Sequence, residues 1–337
     1  MEHDRAGQPL PTARGPVSAA VADYLRAGGP TPDAESIAAA APYGDDLQLA
    51  LYLCYELHYR GFAGVPPERE WDPELLRTRA ALEHRFLSAL REDATAHDSV
   101  EDAIADLLVE PVDGTGVSHY LRDEGELWQL REYAAQRSLY HLKEADPHAW
   151  VLPRLWGRAK AGMAAVEFDE FGGGRPDRVH AKLFADLMAD LGLDTTYGHY
   201  LEVASAEALT TVNMMSLFGL HRALRGALVG HFAAVEITSS PGSRRLAEAM
   251  RRTGAGPAAE HFYDEHVEAD AVHEQVVRRD VIGGLLDEEP YLAADVAFGI
   301  DATSHVEDLL AERLLADWRA GRSSLRPGAT SEIPHIS

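Results

Sequence analysis

Apolar residues recur every three or four positions over long stretches free of Gly and Pro, and this constrains the chain more than any other feature. Pro73–Arg91 shows it clearly, with Leu75, Leu76, Ala80, Leu82, Phe86, Leu87 and Leu90. That spacing lays the apolar side chains along one face of an α-helix. Val17–Ala27, Asp45–Tyr59, Ser99–Leu108, Glu124–Glu144, Trp150–Phe171, Asp177–Leu191, Ala204–Glu236, Ser243–Arg252, Glu260–Gly283 and Glu288–Trp318 read as helices on the same grounds. Turns are expected at Gly28-Gly29-Pro30, Asp146-Pro147, Phe171–Pro176 and Ser239–Gly242, and kinks at Gly219, Gly226 and Gly230. No segment shows the apolar–polar alternation of a half-buried strand, and no internal repeat is visible. The expected class is all-α. The division is a disordered lead (1–16), an N-terminal helical region (17–123), a long-helix core (124–320) and a tail (321–337). No flexible linker separates the two helical parts, so they should pack together.

Charge narrows the function classes. The 337 residues carry a formal net charge of −24. Such a field repels phosphate backbones and anionic membrane surfaces, so neither nucleic acid nor membrane is an expected partner. No stretch approaches the roughly 18 apolar residues needed to span a bilayer. A single cysteine, Cys54, allows no intrachain disulfide, and the N-terminus has no apolar leader, so the cytoplasm is the expected compartment. Cys54 lies in an apolar helical run and reads as core.

Candidate chemistry lies in the Glu260–Gly283 segment. His266, Asp270 and His273 stand at i, i+4 and i+7, in line along one helix face. Imidazole and carboxylate are ligands of non-haem iron, zinc and manganese. With 16 His and 55 acidic residues, chance pairings are frequent, and a solvated helix face would show the same triplet. Asp177-x-x-His180 and Asp270-x-x-His273 also resemble the carboxylate-x-x-His pairs of di-iron bundles. Asp177 reads as a helix N-cap, and His180 alone more often as a satisfied core or surface histidine than as a ligand, while Glu144 reads equally as a solvated helix end. Glu236 ends a mostly apolar run, where a carboxylate is costly unless paired or metal-bound. Glu170 precedes His180 across the Gly172-Gly173-Gly174 break, which lacks the Gly-Lys-Ser/Thr of a phosphate loop. Tyr197, His199, Tyr200 and Arg222 are candidates for a substrate pocket.

Taken in order, Lys143-Glu144-Ala145-Asp146-Pro147-His148, Asp169-Glu170-Phe171-Gly172-Gly173-Gly174 with His180, then Glu236, then His266-x3-Asp270-x2-His273 resemble the haem-oxygenase-like di-iron oxidases and oxygenases. The resemblance covers roughly 124–318 and is nearest to the N-oxygenase branch, in which an extra helical region precedes the di-iron domain. It implies a haem-oxygenase-like bundle with an N-terminal helical extension. It further implies that Glu144, Glu170, His180, Glu236, His266, Asp270 and His273 hold two iron ions that use O2. A small amine or amino acid would be N-oxygenated with electrons from an external donor, by an enzyme that is a homodimer. The cupin domain that some relatives carry is not expected. Oxidative cleavage or desaturation of an aliphatic acid or amino acid is the alternative with the same ligands. A ferroxidase-like iron-binding protein without substrate oxygenation is the alternative from another class.

Overall fold

A computed structural model describes residues 7–94, 96–109 and 114–327, with side chains at 268–271 excepted. The described residues form helices joined by turns and loops, and the only pairing of extended backbone among them is a single bridge between Gln8 and Phe62. The N-terminal helices are α1 (Pro16–Ala27), α2 (Ala34–Ala39), α3 (Asp45–Glu56), α4 (Pro73–Asp93), α5 (Val100–Leu107) and α6 (Val117–Asp123). The core follows with α7 (Leu127–His141), α8 (Asp146–Ala149), α9 (Gly157–Glu170), α10 (His180–Asp190), α11 (Ala206–Leu220) and α12 (Arg225–Thr253). It ends with α13 (Pro257–Val276), a π-helical turn (Val277–Ile282), α14 (Gly283–Glu288) and α15 (Ala293–Arg319).

Local chemistry sets many of the boundaries. Asp33, Asp72, Ser99 and Ser205 accept backbone N–H bonds at the starts of α2, α4, α5 and α11. Asp177 does not cap α10; it is exposed, and Val179 holds the N-cap position. The expected Trp150–Phe171 helix begins only at Gly157, which takes a φ of 47°. The expected Glu288–Trp318 helix is broken at Glu289-Pro290. The expected turn at Ser239–Gly242 is absent, because α12 runs through Pro241 while packed between α13 and α15. Tertiary packing outweighs the local cost of a proline here. The break in the Ala204–Glu236 stretch falls at His221–Leu224 instead of at a glycine.

The glycines of α12 and α15 serve close approach. A Cβ on Gly230 would lie 2.0 Å from Val296 O, and one on Gly299 would lie 2.0 Å from Ala227 O. The two backbones therefore touch where neither can carry a side chain. One apolar cluster joins Val17, Leu51 and Phe86 of the N-terminal helices to Phe218, Phe232 and Val306 of the core helices. A second collects Leu130, Phe184, Met250, Phe262 and Trp318. Each such fully buried side chain contributes roughly 1.5–3 kcal/mol. A buried ion pair also links the two parts: Lys143 Nζ lies 3.1 Å from Glu56 Oε2, which accepts a second bond from Tyr197 OH at 2.8 Å.

The ends are more engaged than their composition implies. The lead is packed from residue 7 on: Gln8 is buried, and the Arg14 guanidinium donates to Asp45 and to Leu201 O. Met1–Ala6 lie outside the described residues. In the tail, Ser324 is buried and donates from both N and Oγ to Glu132 Oε2 at 2.8 Å. Residues 328–337 lie outside the described residues.

Candidate metal centre

The chain brings six of the seven expected ligands together, from five different parts of the core. Glu144 follows α7. The next residue, Ala145, takes a φ of 74°, a left-handed conformation that costs an L-residue about 1–2 kcal/mol. That turn separates the end of α7 from α8 and leaves the Glu144 side chain buried. Glu170 ends α9 and His180 begins α10. Between them Gly172, Gly173 and Gly174 all take positive φ, and a Cβ at Gly172 would meet Val179 N at 2.7 Å. Only glycine lets the chain fold back this tightly, and the fold brings His180 Nδ1 to 2.8 Å from Glu170 Oε2. Glu236 projects from α12, and His266 and His273 from α13.

These six form two buried triads. Glu144, His180 and His266 make one; Glu170, Glu236 and His273 make the other. Within each, one donor atom from every residue lies within 4.8 Å of the others. His266 Nε2 is 3.7 Å from Glu144 Oε1, and the rings of His180 and His266 have centroids 4.5 Å apart. His273 Nδ1 is 3.2 Å from Glu236 Oε2 and 3.8 Å from Glu170 Oε1. Glu170 therefore presents one oxygen to each triad. Asp270 lies on α13 between His266 and His273, but its side chain is outside the described residues.

The donor set fits a cation. His266 Nδ1–H donates to Phe262 O at 2.7 Å, which fixes the proton on Nδ1 and turns Nε2 toward Glu144. A metal-bound imidazole is commonly held by such a carbonyl. Glu144 Oε2 is buried with no hydrogen-bond partner among the described residues, a costly state for a carboxylate unless a cation compensates it. Without a metal, protons serve that purpose. Burial disfavours the His273 imidazolium, yet Glu236 and then Glu170 raise its pKa to about 9. Burial likewise opposes the charge on His180, and Glu170 overcomes it. Burial would raise the Glu144 carboxyl, but His141 and then His266 hold it well below the usual range. A divalent ion would displace protons from the imidazoles as it bound.

Sequence reasoning missed several neighbours. His141, one helical turn before Glu144, places Nδ1 2.8 Å from Glu144 Oε1. Asp169 Oδ2 is 3.3 Å from His273 Nε2. Glu167, one turn before Glu170, is buried with both oxygens lacking a hydrogen bond among the described residues. The i, i+3 spacings of His141–Glu144 and Glu167–Glu170 were the available signal. A cavity of about 440 Å³ adjoins the triads and is lined by Glu144, Glu170 and Glu236 together with Tyr140, Phe232 and Thr303. The residues expected to line a substrate pocket lie elsewhere. Tyr197 and His199 border a separate cavity beside residues 7–11, Tyr200 OH accepts from Asp194 N, and Arg222 is exposed. Cys54 is buried, and burial pushes its thiol up to about 12, so it is core and no nucleophile.

Fold and site together define an all-α protein built around two adjacent carboxylate–imidazole triads of the kind that hold redox metals. The family described as iron-containing redox enzyme, which is haem-oxygenase-like, matches residues 131–308, more than half of the 337 residues, and the chain belongs to it. All seven expected ligands fall inside the matched segment. No curated protein matches the chain. Among the described residues no helix is long and apolar enough to cross a membrane.

Proposed function

We propose that the chain is a non-haem di-iron oxygenase that N-oxygenates a small amine or amino acid. The observation that carries this reading is Glu170, with one oxygen 2.8 Å from His180 of one triad and the other 3.8 Å from His273 of the second. A carboxylate so placed suits a bridge between two ions. Glu144, His180 and His266 would hold one iron and Glu236 and His273 the other, with Asp270 as the remaining ligand. Iron, when bound, supplies the capacity to reduce O2.

The chain's own groups do the rest. Tyr140, Phe232 and Met215 give the cavity wall an apolar stretch that would limit water beside a bound substrate. Phe262 O holds His266 in one tautomer, and His141 holds Glu144 in its charged form. The overall balance is R–NH2 + O2 + 2 electrons + 2 protons giving R–NHOH + H2O, with the electrons from an external donor. The helical region 17–123 ahead of the matched segment supports the N-oxygenase branch, as does the order of the seven candidate ligands.

The test is O2 consumption by protein loaded anaerobically with Fe(II), across a panel of primary amines and amino acids with a chemical reductant. Hydroxylamine product from at least one panel member is the expected result. Substrate-independent iron oxidation alone would contradict the reading and favour an iron-oxidising protein.

A further inference from the structure

A chain of polar groups in the cavity wall is not used by the iron ligands. It begins on α15, where Thr303 Oγ1–H donates to Gly299 O at 2.7 Å. A hydroxyl has one proton, so Thr303 Oγ1 can only accept from any further partner. That partner is His231 Nδ1 on α12, at 2.9 Å, so Nδ1–H donates to Thr303. His231 Nε2 in turn lies 3.1 Å from His148 Nε2.

Both rings are buried, at 0% and 2% exposure for His231 and His148. Burial lowers both pKa values to about 3, so both imidazoles are neutral at pH 7. A neutral imidazole carries one N–H. That of His231 goes to Thr303, which makes His231 Nε2 an acceptor. His148 must therefore donate from Nε2, and its Nδ1 keeps a lone pair. Among the described residues no hydrogen bond ends on His148 Nδ1, and His148 lines the same cavity as Glu144 and Glu170. The ring is held in place by Phe232, with centroids 5.1 Å apart, and by Tyr140 at 5.9 Å. The close crossing at Gly230 and Gly299 sets the spacing of His231 and Thr303.

We infer that His148 Nδ1 is a fixed hydrogen-bond acceptor that orients an N–H group of the substrate beside the triads, with its tautomer set through His231 by Thr303. The kind of donor rests on the amine reading above; the acceptor assignment rests on the relay and on both of its buried rings being neutral. A substrate presenting only acceptors at this wall meets lone pair against lone pair and is rejected. An amine, ammonium or guanidinium group is accepted. His231 and Thr303 act through His148 and are positioning residues.

Two measurements test this. The first is long-range 1H–15N spectroscopy of the iron-free protein labelled with 15N-histidine, with His148 and His231 assigned by single substitution. The expected result is a neutral Nε2–H tautomer at His148 and a neutral Nδ1–H tautomer at His231 from pH 6 to 8. The opposite tautomers, or an imidazolium at either ring, overturn the inference. The second is steady-state kinetics of iron-loaded His148→Gln and His148→Asn with L-lysine, L-arginine and n-butylamine as probes. Gln keeps a donor toward His231 and loses the Nδ1 acceptor; Asn keeps an acceptor near the Nδ1 position. The expected result is a KM raised about 5- to 10-fold in the Gln variant, the loss of one net hydrogen bond, with kcat little changed. The Asn variant should stay nearer wild type. An unchanged KM in His148→Gln overturns the inference. Failure of every amine to be turned over by wild type contradicts the amine reading instead, and the tautomers still decide the acceptor assignment.

Discussion

Gly230→Ala tests the crossing of α12 and α15 that sets the site. A Cβ at Gly230 would lie 2.0 Å from Val296 O, 2.9 Å from Val296 C and 3.0 Å from Ile300 N. These are backbone atoms of a long helix, so no rotamer change relieves them. The helices must part by about 1.4 Å to bring this contact from 2.0 Å to an ordinary 3.4 Å, and forced overpacking of this kind costs about 1–3 kcal/mol. The upper end applies, since neither side is a flexible chain. Against it stands the gain of about 0.8–1 kcal/mol from replacing glycine by alanine within a helix. The net loss is about 2 kcal/mol. At ~2.1 cal/mol/K per residue the unfolding entropy of a chain this long is ~0.7 kcal/mol/K, so Tm should fall by about 3 °C. Gly242→Ala is the control on the same helix, because a Cβ there meets nothing within 4 Å. It should raise Tm by about 1 °C from propensity alone. Scanning calorimetry of the metal-free protein reads both. A Gly230→Ala protein as stable as wild type, or one shifted in the same direction as Gly242→Ala, would refute the close-approach argument.

Other outcomes follow from single features. Lys143→Met leaves Glu56 charged at 0% exposure; it should cost about 3–5 kcal/mol, and adding Glu56→Gln should recover part of it in chemical denaturation. Burial first, then Glu170, Glu236 and Asp146, raises the Glu167 carboxyl from 4.5 to about 9. An acid with a raised pKa keeps its proton longer when folded, so its contribution is full below 4.5 and falls away as pH rises to about 9. By pH 7 the loss is about 3 kcal/mol, and Glu167→Gln should flatten the fall in Tm between pH 5 and 8 in the metal-free protein. Ala145→Gly relieves a positive φ of 74° and should raise Tm slightly, by about 1 °C, without changing iron content.

Legibility from sequence followed how local each feature is. The His266–His273 stripe was readable because both candidate ligands sit on one helix at fixed periodicity. The all-α class was readable because the 3.6-residue pattern persists through most of the chain. Glu170 and His180 could not be joined by periodicity, since their meeting depends on three consecutive residues at positive φ. The run of α12 through Pro241 was hidden for the opposite reason: the local signal is a turn, and packing against α13 and α15 overrides it. Gly219, Gly226 and Gly230 suggested kinks. At Gly226 and Gly230 the missing side chain instead admits residues of α15. The His148–His231–Thr303 relay joins residues 72 to 155 positions apart from one another in sequence, so only the folded chain reveals it. The structural part played by the lead and the tail was equally unreadable, because single buried groups such as Gln8 and Ser324 carry no pattern.

The central claim is that the two triads hold two irons. Anaerobic titration of the metal-free protein with Fe(II), followed by elemental analysis after desalting, tests it most directly. Wild type should retain about two irons per chain, and Glu144→Ala/His266→Ala, which removes ligands from one triad only, about one. Wild type that retains no iron, or a double variant that retains as much as wild type, would contradict the claim.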